Sequence, residues 1–214
     1  MSLYIIKEET FIINYDFYNQ YLENNHFQEI FEKRFEYIKS KYNHNETNTK
    51  DKIIQDYFVE IFSWSVIPKD LLLHLSNFLK NYDIKCILDP CCGNGFHSFL
   101  FEKFGDIYSL SADIQKESMA WSPIVEKDGL VFLDDFNEKE HFEGALLLSW
   151  INGDVLALDL LNKYKGNIVI SIGNYECLTT KYLFQLRNNY ICQKRYILEM
   201  PWNLTEKIEI YHRK

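Results

Sequence analysis

The twenty residues KCILDPCCGNGFHSFLFEKF, Lys85 to Phe104, constrain this chain more than any other stretch. They open with a short apolar run, Cys86-Ile87-Leu88, bounded by Pro90 and two glycines. Too short for a helix, the run reads as a buried parallel strand. Beyond Gly95 the apolar positions Phe96, Phe99, Leu100, Phe101 and Phe104 recur at helical spacing, and Gly105 follows as a stop signal. The unit is strand, glycine turn, helix. Glycine carries no side chain and takes positive φ, so such a turn lets a ligand lie against bare backbone at a helix start.

The residues of the turn narrow the ligand. A dinucleotide fingerprint would place a third glycine where Ser98 stands, after Gly93 and Gly95. Instead Asp89 closes the strand, and the run Asp89-Pro90-Cys91-Cys92-Gly93-Asn94-Gly95 resembles motif I of class I S-adenosylmethionine (SAM) dependent methyltransferases. The cofactor implied by that resemblance carries an ammonium, a carboxylate and a ribose, and leaves as S-adenosylhomocysteine. A carboxylate near the turn suits the ammonium, and backbone N–H groups at the helix start suit the cofactor's carboxylate. The family motif has three alternate glycines after the acid; here the first place is Cys91, small enough to keep the approach close. The next strand, Ile107 to Asp113, ends on Asp113, eighteen positions after Gly95, where an acid is expected to receive the ribose hydroxyls. The cofactor set implied here is Asp89, Cys91, Gly93, Gly95, Asp113 and the following Ile114. The structural alternative is a buried strand and turn with an exposed aspartate.

Bulk properties bound the rest. With 214 residues, 47% of them hydrophobic, the chain can hold one full domain with a large core, with or without an appended helical segment. No apolar run approaches membrane length, and the start lacks the basic and small-residue features of a signal peptide, so a cytoplasmic protein with no membrane association is expected. The five cysteines form no CxxC pair and the histidines no HExxH, so neither a disulfide framework nor a zinc site is expected. A formal charge of −8, with no basic stripe and with Lys33-Arg34 and Lys194-Arg195 as isolated pairs, argues against nucleic acid as substrate. Nothing in the sequence specifies an oligomeric state.

Residues 1–82 read as a helical N-terminal segment that packs on the core or caps the site, ahead of a SAM-binding domain over 83–214. Helical periodicity predicts a short helix near Asp16 to Asn24, a second from His26 to about Tyr42, a polar loop over Asn43 to Lys50, and a third helix carrying Ile53 through Phe62. Pro68 and Asp70 then mark the start of a fourth. Trp64, in the break Ser63-Trp64-Ser65, is a candidate lid aromatic, with core packing as its alternative role. After Asp113, the run Gly129 to Leu133 reads as a third strand ending at Asp134-Asp135, which would bring Asp135 to the adenine amino group; solvated loop charge is the alternative. Ala145 to Leu148 reads as a buried strand leading to Ser149 and Trp150, and Asn167 to Gly173 as another. Residues 191–199 and the alternating Lys207 to His212 form two final strands, the last half-buried or at an edge. The expected fold is α/β: a Rossmann-like, seven-stranded class I methyltransferase sheet with helices on both faces.

The C-terminal two thirds also resembles a small family of methyltransferase-like proteins. The matching stretches are Trp121-Ser122-Pro123-Ile124, Leu146 to Trp150, Tyr164-Lys165-Gly166, Ile168 to Gly173 and Pro201-Trp202, in the same order. Relatives carry two prolines after the tryptophan of the fourth strand; this chain has Ile151-Asn152, which argues against methylation of an amine on a base ring.

A methyl on a sulfonium is already electrophilic, so such a protein need only align a nucleophile and exclude water. Positions beyond the carboxyl ends of the strands are the candidates: Ser149 and Trp150 beside the cofactor, with Trp150, Asn152 and Glu176 as candidate catalytic residues. Two readings follow, a methyltransferase acting on a small molecule or a protein side chain, or a catalytically idle relative that works by binding.

Overall fold

The computed structural model describes residues 8–41, 50–137, 143–151, 154–174 and 180–214. Eight strands form one sheet: β1 (Glu8–Ile12), β2 (Cys86–Asp89), β3 (Tyr108–Asp113), β4 (Ile124–Glu126), β5 (Gly144–Ser149), β6 (Ile168–Gly173), β7 (Tyr190–Glu199) and β8 (Thr205–Arg213). Their spatial order is β1-β7-β8-β6-β5-β2-β3-β4. Every neighbouring pair is parallel except those that include β8, which runs antiparallel to both β6 and β7. Strands β2 to β8 thus make the doubly wound seven-stranded sheet expected, and β1 adds an eighth. It is a Rossmann-like α/β fold.

The central strands are buried on both faces, which explains their unbroken apolar runs. Alternate residues serve two cores. Ile87, Ala145, Leu147, Ile168 and Ile170 face one cluster, while Cys86, Leu88, Leu146, Leu148 and Val169 face the other. Helices α5 (Gly129–Asn137), α6 (Asp154–Lys163) and α7 (Thr180–Asn189) cover the second face through residues such as Leu133, Leu160 and Leu186. The first face is covered by α1 (Asn25–Lys41), α2 (Lys50–Ile61), α3 (Lys69–Asn81) and α4 (Phe96–Lys103), together with a 3₁₀ turn at Phe17–Tyr21. Aromatic rings dominate there: Phe17 meets Phe62 edge-on at 5.0 Å, and Phe27 and Phe96 each lie 5.0 Å from Trp121. The N-terminal segment therefore shares one core with α4 and the sheet.

Three expectations need correction. The segment expected to be helical opens with a strand: β1 pairs with β7, and Arg195 on β7 links Glu8 on β1 (2.9 Å) to buried Glu209 on β8 (2.6 Å). The third strand of the sheet is Ile124–Glu126, and Gly129 to Leu133 is helical, because the Asp128 carboxylate accepts the backbone N–H groups of Leu130 and Val131 and starts α5. Finally, β8 lies inside the sheet, and its acids Glu206 and Glu209 are buried. The loop expected after Tyr42 falls outside the described residues.

Candidate functional site

Strand order reverses around β2, whose neighbours are β3 on one side and β5 on the other. In an open doubly wound sheet a crevice forms at such a switch point, beyond the carboxyl ends of the strands. A cavity of about 640 Å³ lies there. Its floor is Asp89, Cys91, Cys92, Gly93 and Asn94 after β2, with Asp113 from β3 and Ser149 and Trp150 from β5. Its cover comes from the end of α2 and the residues after it, Val59, Glu60, Ser63 and Trp64, and from Gln115 and Glu117.

The two glycines of the turn have different roles. Gly93 has φ of +55°, and a Cβ there would meet nothing within 4 Å, so this backbone faces open space. At Gly95, φ is +75° and a Cβ would lie 2.4 Å from Ser122 Oγ. The positive φ and the close packing of the turn against the Trp121-Ser122 segment both favour glycine there. The turn also uses many of its own donors: Gly93 N–H donates to Asp113 Oδ2 (2.9 Å), Gly95 N–H to Cys92 O (2.9 Å) and Phe96 N–H to Asn94 Oδ1 (3.0 Å). The Gly93, Gly95 and Phe96 donors, expected to be free for a cofactor carboxylate, are thus used within the turn.

Asp113 accepts a second backbone N–H, from Gln115 at 3.2 Å, yet each carboxylate oxygen keeps a lone pair for a hydroxyl donor. Asp89 is buried and accepts the Ser98 hydroxyl at 2.9 Å. Burial pushes its carboxyl up to about 7, the Ser98 hydrogen bond opposes that, and Asp113 adds to it. A cation beside Asp89 would restore its charge. Burial, helped by Asp89 and Asp113, likewise pushes the Cys91 thiol up to about 12, so it is a neutral wall and not a nucleophile.

The cover is tied down by unusual caps. A helix leaves its last carbonyls without intrahelical partners. At the end of α2 they are taken by side chains: Arg34 donates to Glu60 O and Ile61 O (2.5 and 2.9 Å), Trp121 Nε1 to Ile61 O (2.7 Å), and Asn94 Nδ2 to Phe62 O (2.7 Å). Arg34, only 1% exposed, also donates to Met119 O and pairs with Glu117 at 3.2 Å. One residue thereby fixes α1, the end of α2 and the segment after β3.

A further network holds the wall. Trp150 sits at φ +49°, a conformation bulky side chains rarely adopt, and its indole N–H is shared between Ser65 Oγ (2.6 Å) and Glu206 Oε2 (3.1 Å). Buried His97 donates Nε2–H to Ser65 O (2.9 Å), and burial pulls its pKa down to about 4, so it is neutral. Burial drives Glu206 the other way, up to about 8, against the Trp150 hydrogen bond.

Of the sequence-derived candidates, Asp89, Cys91, Gly93, Asp113, Ser149 and Trp150 come together around one cavity, and Trp64 joins them as part of the cover. Gly95 supports the turn from behind. Ile114 is 74% exposed at the end of β3 and outside the lining. Asp135 is on helix α5, paired with Lys127 at 2.5 Å and away from the cavity; its expected place at a strand end disappears with the misread third strand. Asn152 and Glu176 lie outside the described residues. Missed altogether were Arg34, Asn94, His97, Glu117 and Glu206, whose roles depend on partners distant in sequence. Among the described residues no group of His, Cys, Asp and Glu is placed to hold a metal ion, and no helix is long and apolar enough to cross a membrane.

No protein-family model matches this chain, and no curated protein matches it in sequence. Solved structures show partial similarity to it. A protein described as a methylase from Haemophilus influenzae is 16% identical, with a TM-score of 0.45 over 66% of this chain and 87% of its own. A 1,6-didemethyltoxoflavin-N1-methyltransferase from Burkholderia thailandensis, solved with its substrate and S-adenosylhomocysteine, is 10% identical, with a TM-score of 0.47 over 67% and 78%. One described as a caffeoyl-CoA O-methyltransferase from Staphylococcus aureus is 13% identical, with a TM-score of 0.47 over 84% and 99%.

Proposed function

We propose that this chain is a SAM-dependent methyltransferase acting on a small molecule or a protein side chain. The observation that carries the reading is the pairing, across one switch-point cavity, of an unobstructed Gly93 backbone with the carboxylates of Asp89 and Asp113. When bound, SAM supplies an electrophilic methyl group. Asp89 would hold its ammonium, Asp113 its ribose hydroxyls, and Cys91 and Ser149 would flank it. The cover from α2 to Trp64 keeps water from the reacting end, and the Arg34, Asn94 and Trp121 clamps keep that cover in place. A nucleic-acid substrate does not suit a cavity whose described lining has no lysine or arginine.

A thermal melt with S-adenosylhomocysteine tests the reading. Ligand at about a hundred times its dissociation constant adds roughly 2.7 kcal/mol of stability. Asp113→Asn, which keeps an acceptor for the Gly93 N–H, is expected to weaken binding while the protein stays folded. Stabilisation by NAD with no response to either form of the SAM cofactor would overturn the assignment.

A further inference from the structure

One wall of the cavity lies outside the Asp89, Gly93 and Asp113 cradle and is held by contacts of its own. Trp150 adopts a left-handed backbone conformation, its indole N–H is bound by Ser65 and Glu206, and its ring stacks on Trp64 with centroids 5.3 Å apart and planes 26° apart. Backbone strain of this kind persists only where surrounding contacts impose it, and it concentrates at binding sites. Trp64 remains 41% exposed although large aromatics normally bury themselves, and both rings line the cavity.

The charge of the lining has one sign. Glu60 and Glu117 line the cavity from the cover and Asp89 and Asp113 from the floor, and no lysine or arginine is among the described lining residues. Arg34 reaches Glu117 but is itself buried and directs its donors to backbone carbonyls. An anionic acceptor would meet no cationic side chain in that lining. A cation would meet indole faces and carboxylates together, the two environments that attract it most.

We propose that the Trp64–Trp150 pair is the acceptor wall of this cavity and that it receives an organic cation, an alkyl- or arylammonium or a guanidinium, laid against the indole faces. The assignment rests on the cofactor occupying the opposite, Asp89–Asp113 side. The positive charge marks the group that is recognised, which need not be the atom that is methylated. Glu206 is a positioning residue: buried to 0% exposure, it reaches the cavity only through the Trp150 indole, and its Oε1 meets no other donor.

Calorimetric titration of the full chain saturated with S-adenosylhomocysteine, using phenyltrimethylammonium and benzoate as flat probes of opposite charge, tests this. The cation is expected to bind at least about tenfold more tightly than the anion. Trp64→Ala, an exposed change that the fold should tolerate, is expected to weaken the cation roughly fivefold. Glu60→Gln should weaken it as well. Glu206→Gln, which keeps an acceptor for the indole, should restore the cation binding that Glu206→Leu loses, a rescue that mere filling of space would not give. Equal binding of the two probes, or cation binding indifferent to Trp64→Ala, overturns the acceptor assignment alone. A chain that does not bind S-adenosylhomocysteine overturns the cofactor reading, and the acceptor assignment with it.

Discussion

Two buried carboxyl groups, Asp89 and Glu206, give single residues control over the pH response of the free protein. Both titrate higher in the folded chain than in the unfolded one, because burial opposes their charge. Stability is then complete below the unfolded values near 4 and falls as pH rises through about 7 for Asp89 and about 8 for Glu206. The thermal midpoint of the ligand-free chain is accordingly expected to decline between about pH 4 and about pH 8 and to level off above that. Asp89→Asn should make that decline shallower up to about pH 7 and Glu206→Gln up to about pH 8; a midpoint that rises over this interval would contradict both placements. Asp89, Gly93 and Asp113 were legible in the sequence because a turn and the end of the next strand are local patterns with fixed spacing. Glu206 was not, since its burial depends on β8 lying between two other strands, which one strand's alternation cannot reveal.

At the level of elements, the sequence misplaced the third strand for a definable reason. Ile124–Glu126 is three residues long, too short to show alternation, while the apolar run Gly129 to Leu133 suits a strand or a helix equally until Asp128 is seen as its cap. The amphipathic helices α1 and α2 were legible, but not what joins them, because Arg34 reads as part of a surface charge pair and is in fact inside. Arg34→Met should lower stability by about 3 kcal/mol, since it strips donors from several buried carbonyls and leaves Glu117 without its partner. Trp121→Phe should cost about 1 kcal/mol, because Ile61 O keeps its bond from Arg34. Urea denaturation of the two variants measures the difference, and a smaller loss for Arg34→Met than for Trp121→Phe would show that the clamp lies elsewhere.

For the molecule as a whole, the sheet has one short edge and one long one. The short edge is β4; on the other side β1 covers Arg195 to Glu199, half of the ten residues of β7, and presents Ile12, 72% exposed, outward. Nothing in the apolar opening of the chain announced this, because a parallel partner 187 residues away along the chain leaves no local pattern. Removing residues 1–12 would leave β7 as an open template of unpaired backbone groups and Arg195 without one of its two carboxylates. Light scattering is expected to show such a truncated chain self-associating more strongly than the intact one. The five residues of β1 thus act as a selvedge: far from the crevice at β2, they trade half of a ten-residue border for a five-residue one.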